Sequence, residues 1–180
     1  MKLFLPTIKQ PNIIIFDIEY DQHALVQLAL LHFSLRTQGQ PEGVFELTQS
    51  LNLYVKQGQL LSDFFKGYTN ITDDFLCDNG VDLSVARTLV HEVIPDNSII
   101  VSHGLKCDLE VLKQNGFDWS NYQQFCTYEA AKKILHRTNN ISLRDIAALD
   151  GYYMFDEHNA YADVWGTLHA LCYLTKETIK

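Results

Sequence analysis

The chain has 180 residues, of which 47% are hydrophobic, 12% aromatic and 20% charged, the balance of a soluble globular domain, which excludes a disordered, collagen-like or coiled-coil chain. With 14 Lys and Arg against 22 Asp and Glu, the formal net charge is -8, so the surface as a whole repels phosphate and any nucleic-acid binding has to be local. No apolar run approaches the roughly 18 residues of a membrane span, and Pro6 interrupts the apolar start, so neither leader nor anchor is expected. A single domain over residues 1–180 is predicted, with its motif-bearing core at about 12–174. Cys77, Cys107, Cys126 and Cys172 form no C-x-x-C pair and read as reduced, buried thiols of a cytoplasmic protein.

The first strong element is Asn12 to Ile18, where Ile13, Ile14, Ile15 and Phe16 make a continuous β-branched and aromatic run. That is the pattern of a strand buried on both faces. Extended stretches follow at Ala24 to Ser34 and Val44 to Val55, with the turn-like Gly39-Gln40-Pro41-Glu42-Gly43 between them. They predict a meander of three antiparallel strands. After Lys56 the pattern becomes helical. Leu83, Val85, Ala86, Leu89, Val90 and Val93 predict a helix that Pro95 ends at Ile94. Ser98 to Ser102 reads as a short buried strand, and Leu105, Leu109 and Leu112 as a helix stopped by Gly116 at C′. Helices around Ala130 to Leu135, over Leu143 to Leu149 and through Val164, Leu168, Leu171 and Cys172 complete a mixed α/β architecture.

Asp17 and Glu19 stand two apart near the end of the first strand, so both carboxylates project from one face about 7 Å apart. No Lys or Arg occurs between Gln10 and Leu35. Like carboxylates without a local counter-charge raise a pKa or hold a cation, unless they lie at a solvated strand end. Asp108 falls in the first turn of the helix that follows the Ser98 strand, where complementing the helix dipole is the plain alternative. Asp163 opens the last helix, and from Asp145 to Thr175 there is again no basic residue while Asp145, Asp150, Asp156, Glu157 and Asp163 accumulate. A hard divalent cation is the natural neutraliser of such a set. His158 precedes Asp163 by five residues; His23, His32, His91, His103, His136 and His169 show no pairing with a specific carboxylate.

Phe16-Asp17-Ile18-Glu19, Ser102-His103-Gly104-Leu105-Lys106-Cys107-Asp108 and His158 to Asp163 together resemble the three motifs of the DEDDh 3′-to-5′ exonucleases. This family includes the proofreading epsilon subunit of bacterial DNA polymerase III, ribonuclease T and oligoribonuclease. The resemblance runs from about Asn12 to Leu174, and Tyr68-Thr69-Asn70-Ile71-Thr72 and Phe125-Cys126-Thr127 look like the family's connecting segments. It implies a ribonuclease H-like fold, a five-stranded mixed sheet flanked by helices. It further implies that Asp17, Glu19, Asp108 and Asp163 hold two Mg²⁺ or Mn²⁺ ions, that His158 is the general base, and that Ile18, Tyr20, His103, Gly104 and Tyr161 contact the substrate. Two cations can stabilise the attacking and leaving oxygens of an in-line displacement, and a histidine titrates where it can take a proton from water. Ile18 and Tyr20 stand where the family commonly has threonines, Gly104 where it has asparagine, and Cys107 where it has an aromatic residue.

Lys132, Lys133, Arg137 and Arg144, interleaved with Asn139 and Asn140, together with Lys106 and Lys113, suggest a backbone-tracking groove, or else a solvated helix face. Tyr20, Tyr152, Tyr153, Phe155 and Tyr161 offer stacking surfaces for unpaired bases or core packing. The expected substrate is the 3′ end of single-stranded DNA or RNA, cut to nucleoside 5′-monophosphates; the choice between DNA and RNA is not written in any motif. The competing reading is a catalytically weak module that docks on a polymerase or other nucleic-acid machine, and neither a polymerase nor a homodimer partner can be read from the residues. A carboxylate-pair glycosidase leaves two acids and His158 without a role.

Overall fold

A computed structural model describes residues 2–4, 8–35, 44–156 and 158–178. After the short strand β1 (Lys2–Phe4), the apolar run forms β2 (Asn12–Asp21), followed by β3 (Ala24–Leu35) and β4 (Val44–Tyr54). As expected, β2, β3 and β4 form an antiparallel meander; the turn predicted at 39–43 lies outside the described residues. Helices α1 (Asp63–Thr69), α2 (Asp73–Asn79) and α3 (Leu83–Val93) come next, then β5 (Ser98–Ser102) and α4 (Leu105–Gln114). The chain continues through β6 (Gln123–Cys126), α5 (Thr127–Ile134), α6 (Leu143–Leu149) and the long α7 (Ala160–Thr178).

The sheet order is β1-β4-β3-β2-β5-β6. Five strands form the expected mixed sheet, and β1 adds a sixth along the β4 edge. The residue pattern missed β6, whose Gln123-Gln124-Phe125-Cys126 has two exposed polar residues and no alternation; its pairing with β5 decides its conformation.

β2 is covered on both faces, as its composition requires. Ile14, Phe16 and Ile18 pack with Ala86 and Val90 of α3 and Leu105, Val111 and Leu112 of α4, with the Trp119 ring edge-on to Phe16 at 4.8 Å. Ile13 and Ile15 pack instead with Val164, Leu168 and Leu171 of α7. Alternation therefore carries Asp17 and Glu19 to the α7 side. β2 and β5 run parallel with Ile15 opposite Val101, so their carboxyl ends share one edge. In open α/β sheets that edge is where ligands bind.

Gly116 follows α4 with φ +83°, in the C′ position predicted for it. Among the described residues no helix is long and apolar enough to cross a membrane. All four cysteines are free, but none is fully buried as expected: Cys126 and Cys172 are half-buried, and Cys77 and Cys107 are exposed. Both lie on the solvent side of short amphipathic helices, where the pattern that places leucines inward places them outward.

Candidate active site

β2 extends beyond the predicted end to Asp21, with an irregularity between Glu19 and Tyr20. The oxygens of Asp17, Glu19 and Asp163 come within 4.8 Å of one another. Asp108 reaches the same neighbourhood from the other face, on the first turn of α4, and is 8% exposed. Its carboxylate stands outside the group of three and accepts a short hydrogen bond from Ser102 at the end of β5. Gly104 begins α4 with φ +99° and open space where a Cβ would stand.

The electrostatics follow from crowding acids in a poorly hydrated place. Burial first, then the charges of Asp108, Asp163 and Glu19, push the Asp17 carboxyl well above its ordinary range. Glu19 is pushed up to about 8, by burial and then by Asp163 and Asp108. Asp108 rises to about 7 through burial, opposed by the Ser102 hydrogen bond. Burial lowers His103 to about 4, leaving it neutral, and its Nδ1 meets Thr127 Oγ1 at 3.0 Å. All-oxygen donors at this spacing, with no thiolate, suit a hard cation such as Mg²⁺ or Mn²⁺.

The segment bearing His158 is shaped by its neighbours. Gln27 is an isolated polar residue in the apolar β3 and fully buried. Its Oε1 accepts from the N–H of Ala160, at the start of α7, at 3.1 Å, and its Nε2 donates to Asn159 and Asn52 at 3.2 and 2.9 Å. The turn itself is in the left-handed region at His158, φ 65°, and the His158 N–H donates to Asp163 Oδ2 at 3.3 Å. A Cβ on Gly166 would stand 2.6 Å from the Met154 sulfur, so the glycine lets this segment close onto α7.

Two adjoining clefts open here. One, of about 270 Å³, is lined by Asp17, His103, Ser142, Arg144, His158 and Asp163, among others. The other, of about 480 Å³, is lined by the acids of β2 and by Tyr20, Phe64, Tyr68 and His158, among others. Asp21 fixes the second wall: it accepts from the Ser62 N–H at 2.6 Å and from its hydroxyl at 2.8 Å, while Ser62 caps α1 by accepting from Phe65 N–H at 3.2 Å. The Tyr68 and His158 rings are stacked with centroids 3.7 Å apart.

Of the other residues singled out in the sequence, Ile18 is 6% exposed and belongs mainly to the core, meeting the cleft at its rim. Tyr20 is 38% exposed. Tyr161 packs against the α7-side core, because its helix turns it toward the sheet. Tyr152 stacks on His169 at 4.3 Å, while Tyr153 and Phe155 are exposed. His169 does have a carboxylate partner, Asp150 at 2.8 Å, which their separation of 19 residues concealed. Of the predicted basic stretch, Arg144 lines the smaller cleft, whereas Lys132 lies over the Tyr128 ring on α5. Sequence reasoning missed Gln27, Phe64 and Arg144's separate position; only Gln27, a lone amide in an apolar strand, carried a readable signal.

No protein-family model and no curated protein matches the chain. Solved structures do. E. coli exonuclease I in complex with a dA16 oligonucleotide is similar at TM-score 0.68 and 16% identity, over 93% of this chain and 41% of that one. This chain thus spans about two-fifths of the length of exonuclease I. Exonuclease X in complex with 5′-overhanging duplex DNA is similar at TM-score 0.66 and 17% identity, over 92% of each chain. A 3′-exonuclease that recognises the 3′ end of a histone mRNA stem-loop is similar at TM-score 0.67 and 12% identity, over 91% of this chain and 80% of that one. The architecture is the ribonuclease H-like fold of these exonucleases.

Proposed function

We propose that this chain, acting as one domain, is a metal-dependent 3′-to-5′ exonuclease that removes nucleoside 5′-monophosphates from single-stranded DNA or RNA. The observation that carries this reading is the meeting of Asp17, Glu19 and Asp163 oxygens within 4.8 Å, in a cleft that His158 also lines. The fold shared with exonuclease I, exonuclease X and the histone mRNA 3′-exonuclease supports it, as does the zinc-bound form of the E. coli exonuclease I–DNA complex for that protein.

Asp17, Glu19 and Asp163, with Asp108 from the opposite side, would hold two Mg²⁺ or Mn²⁺ ions. Bound there, the ions supply positive charge to a phosphate that an acidic protein otherwise repels, and stabilise charge on the attacking and leaving oxygens. His158 takes the proton of the attacking water. Ser102 keeps Asp108 oriented toward its anionic form, and neutral His103 shapes the cleft floor. Tyr20 offers a face to a terminal base, and Arg144 offers a guanidinium to the strand's phosphates.

The test is incubation of the protein with 5′-labelled single-stranded DNA and its RNA counterpart, in Mn²⁺, Mg²⁺ or EDTA, beside His158→Ala and Asp163→Ala. A ladder shortening from the 3′ end, dependent on metal and lost in both variants, is expected. A folded wild-type protein that yields no ladder in either metal overturns the enzyme and leaves a module that docks on a polymerase or other nucleic-acid machine.

A further inference from the structure

A catalytic histidine acts only if its ring is held in a defined plane, and the usual holder is a carboxylate or carbonyl hydrogen-bonded to the second ring nitrogen. Among the described residues, the imidazole nitrogens of His158 have no hydrogen-bonding partner; the one bond the residue makes there is through its backbone N–H, to Asp163. What touches the ring is Tyr68. The two rings are 3.7 Å apart and 29° from parallel. Tyr68 in turn lies on Phe64, at 5.8 Å and 14°, so three rings form a column leading out of the cleft.

The base of this column does not depend on His158. Phe64 and Tyr68 are four apart on α1, hence on one face of it. α1 is anchored by the Ser62 bonds to Asp21, by Lys66 between Asp63 and Asp73 at 3.2 Å, and by Phe65 in a small core with Leu61, Ile71 and Leu76. Tyr68 is 48% exposed and Phe64 82%; their exposure shows that these rings are not there to fill the interior. Tyr68 lies against His158, the side chain that borders both clefts.

We infer that Tyr68 is a positioning residue for the exonuclease reaction, its ring setting the plane of the His158 imidazole where a hydrogen-bonded carboxylate would otherwise do so. The inference rests on the reading of the site given above. Its mark is aromaticity: the ring matters and the hydroxyl does not.

The experiment uses the full chain as wild type, Tyr68→Phe, Tyr68→Leu and His158→Ala, with kcat and KM measured on the labelled strand in Mn²⁺. Circular dichroism establishes that each variant is folded. In parallel, proton NMR of the metal-free proteins reads the ring-current shift of the His158 imidazole protons, identified by their loss in His158→Ala. Tyr68→Phe is expected to keep both the shift and kcat within about twofold. Tyr68→Leu is expected to lose the shift and to lower kcat by about 10- to 100-fold with KM nearly constant, the scale of a misplaced catalytic group. A raised KM at constant kcat makes Tyr68 a base-binding contact and overturns the inference, as does an unchanged or increased kcat in Tyr68→Leu. An active wild type without the shift overturns the positioning role alone. A wild type with the shift but without cleavage overturns the exonuclease reading, and the role with it.

Discussion

The backbone N–H of His158 donates to Asp163 Oδ2 at 3.3 Å, so the residue proposed as general base and one proposed as metal ligand are joined by the turn between them. Their spacing of five residues is what allows it: His158 occupies a left-handed position, and the chain enters α7 two residues later. Asp163 therefore faces the β2 acids as α7 packs.

Asp17→Asn removes an ionisable group from a crowded set of acids while keeping its shape. In EDTA at pH 8 the variant is expected to melt several degrees higher than wild type, since about 1 kcal/mol moves the midpoint of a chain this size by roughly 2–4 °C. The same variant is expected to lose more than about a hundredfold in cleavage rate, on the scale of removing one stabilising group from a charged transition state. Calorimetry and the ladder assay check the two halves.

Glu19 and Asp108 rise from ordinary values of 4.5 and 3.8 to about 8 and about 7. The folded protein thus holds protons that the unfolded chain has already released. Without metal, the contribution of these two groups to stability is fully present below about pH 4 and is lost as pH rises toward 8, by at most about 1.4 kcal/mol per pH unit for each group. Urea unfolding in EDTA at pH 5, 6.5 and 8 is expected to show this decline. Saturating Mn²⁺ is expected to reverse it, because the ion binds the ionised folded state.

Ser102→Ala removes the hydrogen bond that favours the Asp108 carboxylate. Support of this kind for a ligand is worth 10- to 100-fold in metal affinity. The Mn²⁺ concentration giving half-maximal cleavage is expected to rise by roughly that factor, with the rate at saturating metal much less affected.

Arg144→Ala is expected to weaken binding of a single strand and reduce the slope of log K against log salt by about 0.7, as loss of one phosphate contact does on a single strand. Lys132→Ala, on α5 beyond the cleft, is expected to leave the slope nearly unchanged. Fluorescence anisotropy over a salt series distinguishes the two.

The sequence by itself was enough for the meander, the β5–α4 unit and the helix stop at Gly116, because each is set by local signals: alternation, an apolar run, a glycine at positive φ. It also carried the candidate acids, since Asp17 and Glu19 need only period two to share a face. The tertiary structure decided what depends on distant partners. β6 exists because β5 offers an edge, His169 meets Asp150 because α6 packs on α7, and Tyr161 turns inward because α7 does. Tyr68 reaches His158 across 90 positions of sequence, through an α1 tied down by Asp21. Backbone periodicity is a property of neighbours along the chain, whereas a cleft is a property of elements that meet only after the core has excluded water; that is why the acids were legible in the sequence and the ring beside the histidine was not.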